Sequence, residues 1–265
     1  MSGLQVIVLA IVQGLTEFLP ISSSGHLVLV PSAFGWTDQG LAFDVAVHFG
    51  SLAAVLTYFR GDIRALLSGT AQILGGKANT FEARLALGLG LGTLPGAVGG
   101  LLLAGWISNN LRSPAVIAVT LSVFAVLMWL ADRLGSKDRI LTGVTLRDAL
   151  LIGLAQMLAL VPGTSRSGVT ITAARALGFE RTDAARFSFL LAVPVILLAT
   201  AYELVVLLRA DADVAWGQLF AGAVISGVIA YLSIRFFMRF VNRVGLLPFA
   251  IYRISLAAII LYVLV

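Results

Sequence analysis

Long apolar runs separated by short polar stretches dominate the chain. Six of them, 43–60, 84–106, 115–134, 187–208, 216–234 and 246–265, approach the roughly 20 residues a helix needs to cross a bilayer. Four shorter runs remain, at 4–19, 23–34, 146–160 and 165–177. A 12-residue helix rises only about 18 Å against a hydrocarbon core of about 30 Å, so these pieces do not span alone. They form two adjacent pairs. One is joined by Leu19-Pro20-Ile21-Ser22-Ser23-Ser24-Gly25, the other by Val161-Pro162-Gly163-Thr164-Ser165-Arg166-Ser167-Gly168. Broken helices at membrane depth are tolerated where protein or a wet cavity satisfies their backbone, so both pairs read as re-entrant hairpins. The competing geometry is one kinked span plus a loop. The first run lacks a basic leading region and continues into its hairpin, so it reads as structure rather than a cleaved signal peptide.

Composition narrows the class. Of 265 residues, 59% are hydrophobic and 12% charged, against about 25% charged in soluble domains. Mean hydropathy is +1.01. A soluble globular enzyme and a disordered chain are excluded, and the absence of cysteine excludes a disulfide scaffold and thiol chemistry. The pI near 10.1 does not point to nucleic acid, because the basic residues are scattered between apolar runs, as in loops facing a cytoplasmic leaflet.

The basic residues also orient the chain. Let the N-terminus lie outside and each hairpin return to the side it entered. The inside segments 60–84, 131–148, 175–186 and 235–245 then carry 14 of the 18 Lys and Arg. The outside loops carry only Arg112 and Arg209, and Arg166 and Arg253 are left at membrane depth. That asymmetry favours this orientation, and Trp36, Trp106 and Trp216 fall at outer span ends.

The hairpins repeat at an offset of 143: Gln13 matches Gln156, Leu15 Leu158, Ser22 Ser165, Ser24 Ser167 and Gly25 Gly168. Each half reads as a hairpin followed by three spans, and an odd number of crossings inverts the second half. The expected fold is an all-α integral membrane protein of one membrane domain, 1–265. It comprises two inverted repeats, about 1–134 and about 146–265, each a re-entrant helix hairpin plus three transmembrane helices. Such folds place a site near the midplane where helix N-termini converge, and those termini favour anions.

Candidate chemistry sits on the two turns. Gln13 and Glu17 are four residues apart and share a helix face. An ionisable residue at this depth is a functional candidate, and Glu17 is placed to act as a base or to bind a divalent cation. Ser22, Ser23 and Ser24 exceed what capping of the next helix requires. His26 is a candidate base, acid or nucleophile. On the second turn the planar fork of Arg166 suits phosphate, with Ser165, Ser167, Thr170 and backbone N–H groups as further donors. Asp44 and His48 read equally well as supports for the site or as an interfacial pair. Interface placement or snorkelling accounts for Glu203 and Arg253. These residues point to phosphoryl chemistry or to anion transport.

The segment Gln13-Gly14-Leu15-Thr16-Glu17-Phe18-Leu19-Pro20-Ile21-Ser22-Ser23-Ser24-Gly25-His26 resembles the first signature of the bacterial undecaprenyl-diphosphate phosphatases, the bacitracin-resistance family. Pro162-Gly163-Thr164-Ser165-Arg166-Ser167-Gly168-Val169-Thr170 resembles the second. Position 13 is Gln where the pattern also admits Glu, which leaves Glu17 as the one carboxylate of that motif. The resemblance implies a hydrolase of the bacterial plasma (inner) membrane with its site open to the outer side. It implies cleavage of undecaprenyl diphosphate in the bilayer to undecaprenyl phosphate and inorganic phosphate, which recycles the carrier lipid for peptidoglycan synthesis. It further implies a divalent cation, Mg2+ or Ca2+, held by Glu17. Catalysis is expected from Ser23, His26, Glu17 and Arg166, with Ser23 or His26 as the nucleophile. Substrate contacts are expected from Gln13, Ser22, Ser24, Ser165, Ser167 and Thr170, and a homodimer is a further expectation. The rival class is an anion or lipid-carrier transporter on the same scaffold. It has no use for a nucleophile beside an embedded carboxylate.

Overall fold

The structure is a computed structural model and describes residues 1–209 and 215–264. It is all-α: helices α1 (Gly3–Thr16), α2 (Ser23–Phe34), α3 (Leu41–Tyr58), α4 (Arg60–Leu74), α5 (Phe81–Asn110), α6 (Pro114–Leu134), α7 (Leu146–Met157), α8 (Arg166–Ala176), α9 (Arg181–Arg209), α10 (Trp216–Val244) and α11 (Leu247–Leu264). Extended pairing among the described residues is limited to one isolated bridge between Arg139 and Phe179.

Five helices, α3, α5, α6, α9 and α10, are long and apolar enough to cross a membrane. They correspond to five of the six expected spans, the first ending at Tyr58 rather than at residue 60. The sixth is α11, whose apolar stretch Leu247–Val263 falls just short of that length. The chain is a multi-pass integral membrane protein. One element was not expected. The polar segment after the first span folds into α4, whose one fully buried residue is Gly69 and whose Ile63 and Leu66 pack partly buried against the core. Its side chains are too mixed to span, but Asp62 pairs with Arg186 at the start of α9 and ties it to the bundle.

The four short runs appear as α1, α2, α7 and α8. At 14, 12, 12 and 11 residues, each rises about 21 Å or less, too little to cross. Their starts are locally specified. Ser2 and Gln5 form a capping box on α1, and Thr145 and Asp148 form one on α7. Ser22 and Ser165 cap α2 and α8, each accepting a hydrogen bond from the glycine N–H three residues on. Both serines have positive φ, 76° and 72°, and they are the two non-glycine residues described with that conformation. The repeat at offset 143 therefore extends from residue identity to backbone conformation and cap.

The largest apolar core lies between the hairpins and the long helices. Phe18 meets Phe189 edge-on at 5.3 Å, and Phe189 contacts Phe59 and Phe237. The tightest crossing is α3 on α10, where a Cβ at Gly50 would run into the Ala223 carbonyl. The polar pair Ser51–Ser226 closes that crossing at 3.1 Å. Toward the other end of the bundle, buried Asp132 accepts from Arg175 Nε at 3.1 Å and Arg181 Nε at 2.7 Å. Arg175 is wholly buried, so this ion pair joins α6, α8 and α9 where its loss would strand a charge.

Candidate active site

The first turn descends from the C-terminal end of α1 and re-enters at α2. The second leaves α7 and re-enters at α8. Side-chain bonds join the two: Ser167 Oγ donates to the Leu19 carbonyl at 3.0 Å, and Arg166 Nη2 donates to Glu17 Oε1 at 2.8 Å. Glu17 is the hub. Its Oε2 accepts from Ser23 Oγ at 2.7 Å and from Gln13 Nε2 at 3.0 Å. Gln13, Glu17, Ser23 and Arg166, drawn from both motifs, therefore form one connected cluster. Arg166 is steadied by the Ser188 carbonyl at 3.4 Å and lies 5.7 Å from the centre of the Phe18 ring. Glu17 is 8% exposed and the Arg166 side chain 13%, which is low enough to strengthen their attraction well beyond its value in water.

His26 makes its bonds away from Ser23. Its Nδ1 donates to the Ser22 carbonyl at 2.7 Å, which fixes the tautomer. Nε2 of the neutral ring then accepts from the Tyr252 hydroxyl at 2.7 Å, with the two rings stacked at 5.7 Å. The ring folds back onto its own first turn and reaches α11 instead. The group within reach of the Ser23 hydroxyl is Glu17.

The other expected donors divide. Ser24 is exposed, 3.4 Å from Ser22 Oγ. Ser165 is committed to its cap, with Ser167 3.3 Å away. Thr170 Oγ1 donates to the Arg166 carbonyl and shares a 2.6 Å bond with Ser188 Oγ, so it braces α8 against α9. His48 comes from α3 to within 3.8 Å (Nε2) of Glu17 Oε2, its Nδ1 donating to the Asp44 carbonyl at 2.8 Å. The Asp44 carboxylate accepts from Gln39 at 2.9 Å. His48 is thus a neighbour of the cluster, and Asp44 stands behind it.

Arg253 overturns the snorkelling expectation. It is wholly buried, and its guanidinium donates to carbonyls of α6 and of both turns: Leu121, Pro20, Gly163 and Thr164, at 2.9 to 3.4 Å. A snorkelling side chain would carry its head to the interface; this one carries it inward to unpaired turn carbonyls. Tyr252, beside it, and Ser188 were absent from the sequence reading. Neither belongs to a polar cluster in the sequence, so only proximity in space reveals them.

The cluster offers oxygen donors that suit a hard cation: the Glu17 carboxylate, Ser23 Oγ, and Gln13 Oε1, which is buried without a hydrogen-bond partner among the described residues. With one carboxylate, such an ion would draw its remaining ligands from substrate phosphate and water.

The sequence model described as bacitracin resistance protein BacA matches residues 6–259. Proteins named undecaprenyl-diphosphatase are similar over nearly the whole chain. That of Chromohalobacter salexigens is 53% identical over 262 residues, covering 98% of each chain. That of Thioalkalivibrio sulfidiphilus is 50% identical over 259 residues, covering 97% of each. That of Nitrosococcus oceani is 51% identical over 262 residues, covering 99% of each. A match over this length, together with both turn motifs meeting at one buried cluster, shows that the chain belongs to the bacitracin resistance protein BacA family.

Proposed function

We propose that this protein hydrolyses undecaprenyl diphosphate to undecaprenyl phosphate and inorganic phosphate, with Ser23 as nucleophile and Glu17 as its base. The observation that carries this reading is the 2.7 Å bond from Ser23 Oγ to Glu17 Oε2, with Arg166 on the other carboxylate oxygen. A serine hydroxyl attacks well only with an adjacent base. The geometry supports the following sequence. The terminal phosphoryl group takes the Arg166 fork, displacing the Glu17 contact. Ser23 Oγ bonds to the terminal phosphorus as the bridging P–O bond breaks, and its proton passes to Glu17 Oε2. Undecaprenyl phosphate leaves, taking that proton from Glu17 on its leaving oxygen and returning the carboxylate to its charged form. Water, deprotonated by the same carboxylate, then cleaves the phosphoserine, and Ser23 regains a proton. Glu17 with the Gln13 carbonyl oxygen would hold Mg2+ or Ca2+, whose charge would offset that developing on the phosphoryl oxygens. Arg166 and the N-termini of α2 and α8 supply preorganised positive charge.

The purified protein in detergent, with a divalent cation, should release phosphate from undecaprenyl diphosphate. A folded preparation that binds the lipid and releases none would overturn the phosphatase reading in favour of a carrier, since detergent leaves no compartments to transport between.

The proposed setting is the bacterial plasma membrane, with the site open to its outer side and the halves inverted. The charge asymmetry of the loops and the repeated cap geometry support it. Native cysteine is absent, so single-cysteine variants report cleanly. Asn110→Cys should react with an impermeant thiol reagent on intact cells, and Lys137→Cys should not. The opposite pattern would reverse the orientation. Asp213, a second outside position expected from the sequence, lies outside the described residues.

A further inference from the structure

Arg253 is a buried cation whose partners are all carbonyls. Its Nε donates to Leu121 at 3.2 Å, Nη1 to Pro20 at 3.4 Å, and Nη2 to Gly163 at 3.0 Å and Thr164 at 2.9 Å. Among the described residues no carboxylate lies within ion-pairing distance of it, whereas Arg166 has Glu17 and Arg175 has Asp132. Carbonyl dipoles solvate a guanidinium but leave its charge in place, and an uncompensated buried charge is costly. Around the turns, Glu17 balances Arg166, so Arg253 leaves the cluster one positive charge in excess, at the point where α2 and α8 both begin.

The same bonds bear on backbone shape. Positive φ at a residue with a side chain persists only where its surroundings over-determine it. Ser22 and Ser165 both hold it, and Arg253 grips the carbonyls of Pro20 and of Gly163 and Thr164, one or two residues upstream of each. It also lies flush against α8. A Cβ at Gly168 would come within 2.8 Å of Nη1.

We propose that Arg253 is a positioning residue that locks the two turns in register, setting Arg166 opposite Ser23 and Glu17, and that its unpaired charge makes the joined turns a seat for a diphosphate. The register claim rests on the phosphatase reading; the anion seat does not.

The test uses Arg253→Lys and Arg253→Met in the full-length protein, with methylenediphosphonate as a non-hydrolysable probe and undecaprenyl diphosphate as substrate. Lysine keeps the charge but is a point donor that does not bridge both turns. Arg253→Lys should therefore bind the diphosphonate like wild type while kcat falls about 100-fold, the cost of a small misplacement of reacting groups. Arg253→Met should lose that rate and also weaken diphosphonate binding about tenfold, the scale of one charge about 12 Å away at an effective dielectric of about 20. Wild-type kcat in Arg253→Lys overturns the positioning role, and unchanged diphosphonate affinity in folded Arg253→Met overturns the anion seat. If either variant unfolds, Gly168→Ala displaces the guanidinium without removing it. It should lower kcat and spare diphosphonate affinity, and unaltered kcat there counts against the proposal. Wild-type protein that binds the diphosphonate yet hydrolyses nothing refutes the phosphatase reading and leaves the seat intact.

Discussion

Ser23→Ala is expected to abolish steady phosphate release while lipid binding survives. The side chain is small and half-buried, and its hydroxyl makes one described hydrogen bond, to Glu17. Its removal therefore leaves Glu17 held by Arg166 and Gln13, and the fold has little to lose. Removal of a nucleophile typically costs about 10³-fold or more, because the two-step path through a covalent intermediate disappears. Steady-state phosphate release, paired with a direct measurement of undecaprenyl diphosphate binding, separates lost chemistry from lost affinity. His26→Ala should slow turnover strongly without abolishing it, since His26 shapes the turn through Ser22 and Tyr252 and does not touch Ser23. Substantial hydrolysis by Ser23→Ala, or a phosphohistidine trapped at His26, would move the nucleophile to His26 or to water.

Arg166→Lys should lose most activity, by about 100-fold, although the charge is kept. Arg166 donates through one nitrogen to Glu17 and through another to the Ser188 carbonyl, with its plane near the Phe18 ring. That planar fork presents paired donors to a phosphoryl group, and an ammonium does not. Loss of such a preorganised contact falls chiefly on the transition state, where phosphoryl charge is redistributed. The effect should therefore appear in kcat more than in KM. Turnover near wild type in Arg166→Lys would exclude the role.

Why the two halves differ is visible at the turns. Ser22, Ser24 and Gly25 recur as Ser165, Ser167 and Gly168, and these positions carry cap and backbone geometry. Between them Ser23 is replaced by Arg166, and Leu160 stands where the first half has Glu17. The repeated serines and glycine build the caps and turns, and the unrepeated Glu17, Ser23 and Arg166 meet in the polar cluster. Gln156, the counterpart of Gln13, consequently has no carboxylate beside it, and neither its Oε1 nor its Nε2 has a partner among the described residues.

Most of the architecture was legible because it depends on local physics. Apolar length against bilayer thickness reveals the long helices, and runs too short to span, joined by Pro/Ser/Gly turns, reveal the hairpins. The amphipathic α4 escaped notice because hydropathy averaging reads such a helix as a loop. Motif chemistry singled out Gln13, Glu17, Ser23 and Arg166 because each is too polar for its depth without a purpose.

Which of those residues touch is a different matter, since contacts depend on how distant segments pack. The motif left Glu17 and His26 both as candidate bases. The choice fell to the Ser22 carbonyl, which anchors the imidazole, and to Tyr252, more than 200 residues away, whose hydroxyl donates to it. Hydropathy likewise read Arg253 as a residue reaching for the interface. Packing of α11 behind both turns buries it, because the turn carbonyls need donors that no helix supplies there. Short-range patterning is enough to specify the helical elements and the candidate chemistry. The pairing of Glu17 with Ser23 and Arg166, and the bonds from Arg253 to both turns, arise from packing, because they join segments whose separation along the chain carries no record of their proximity.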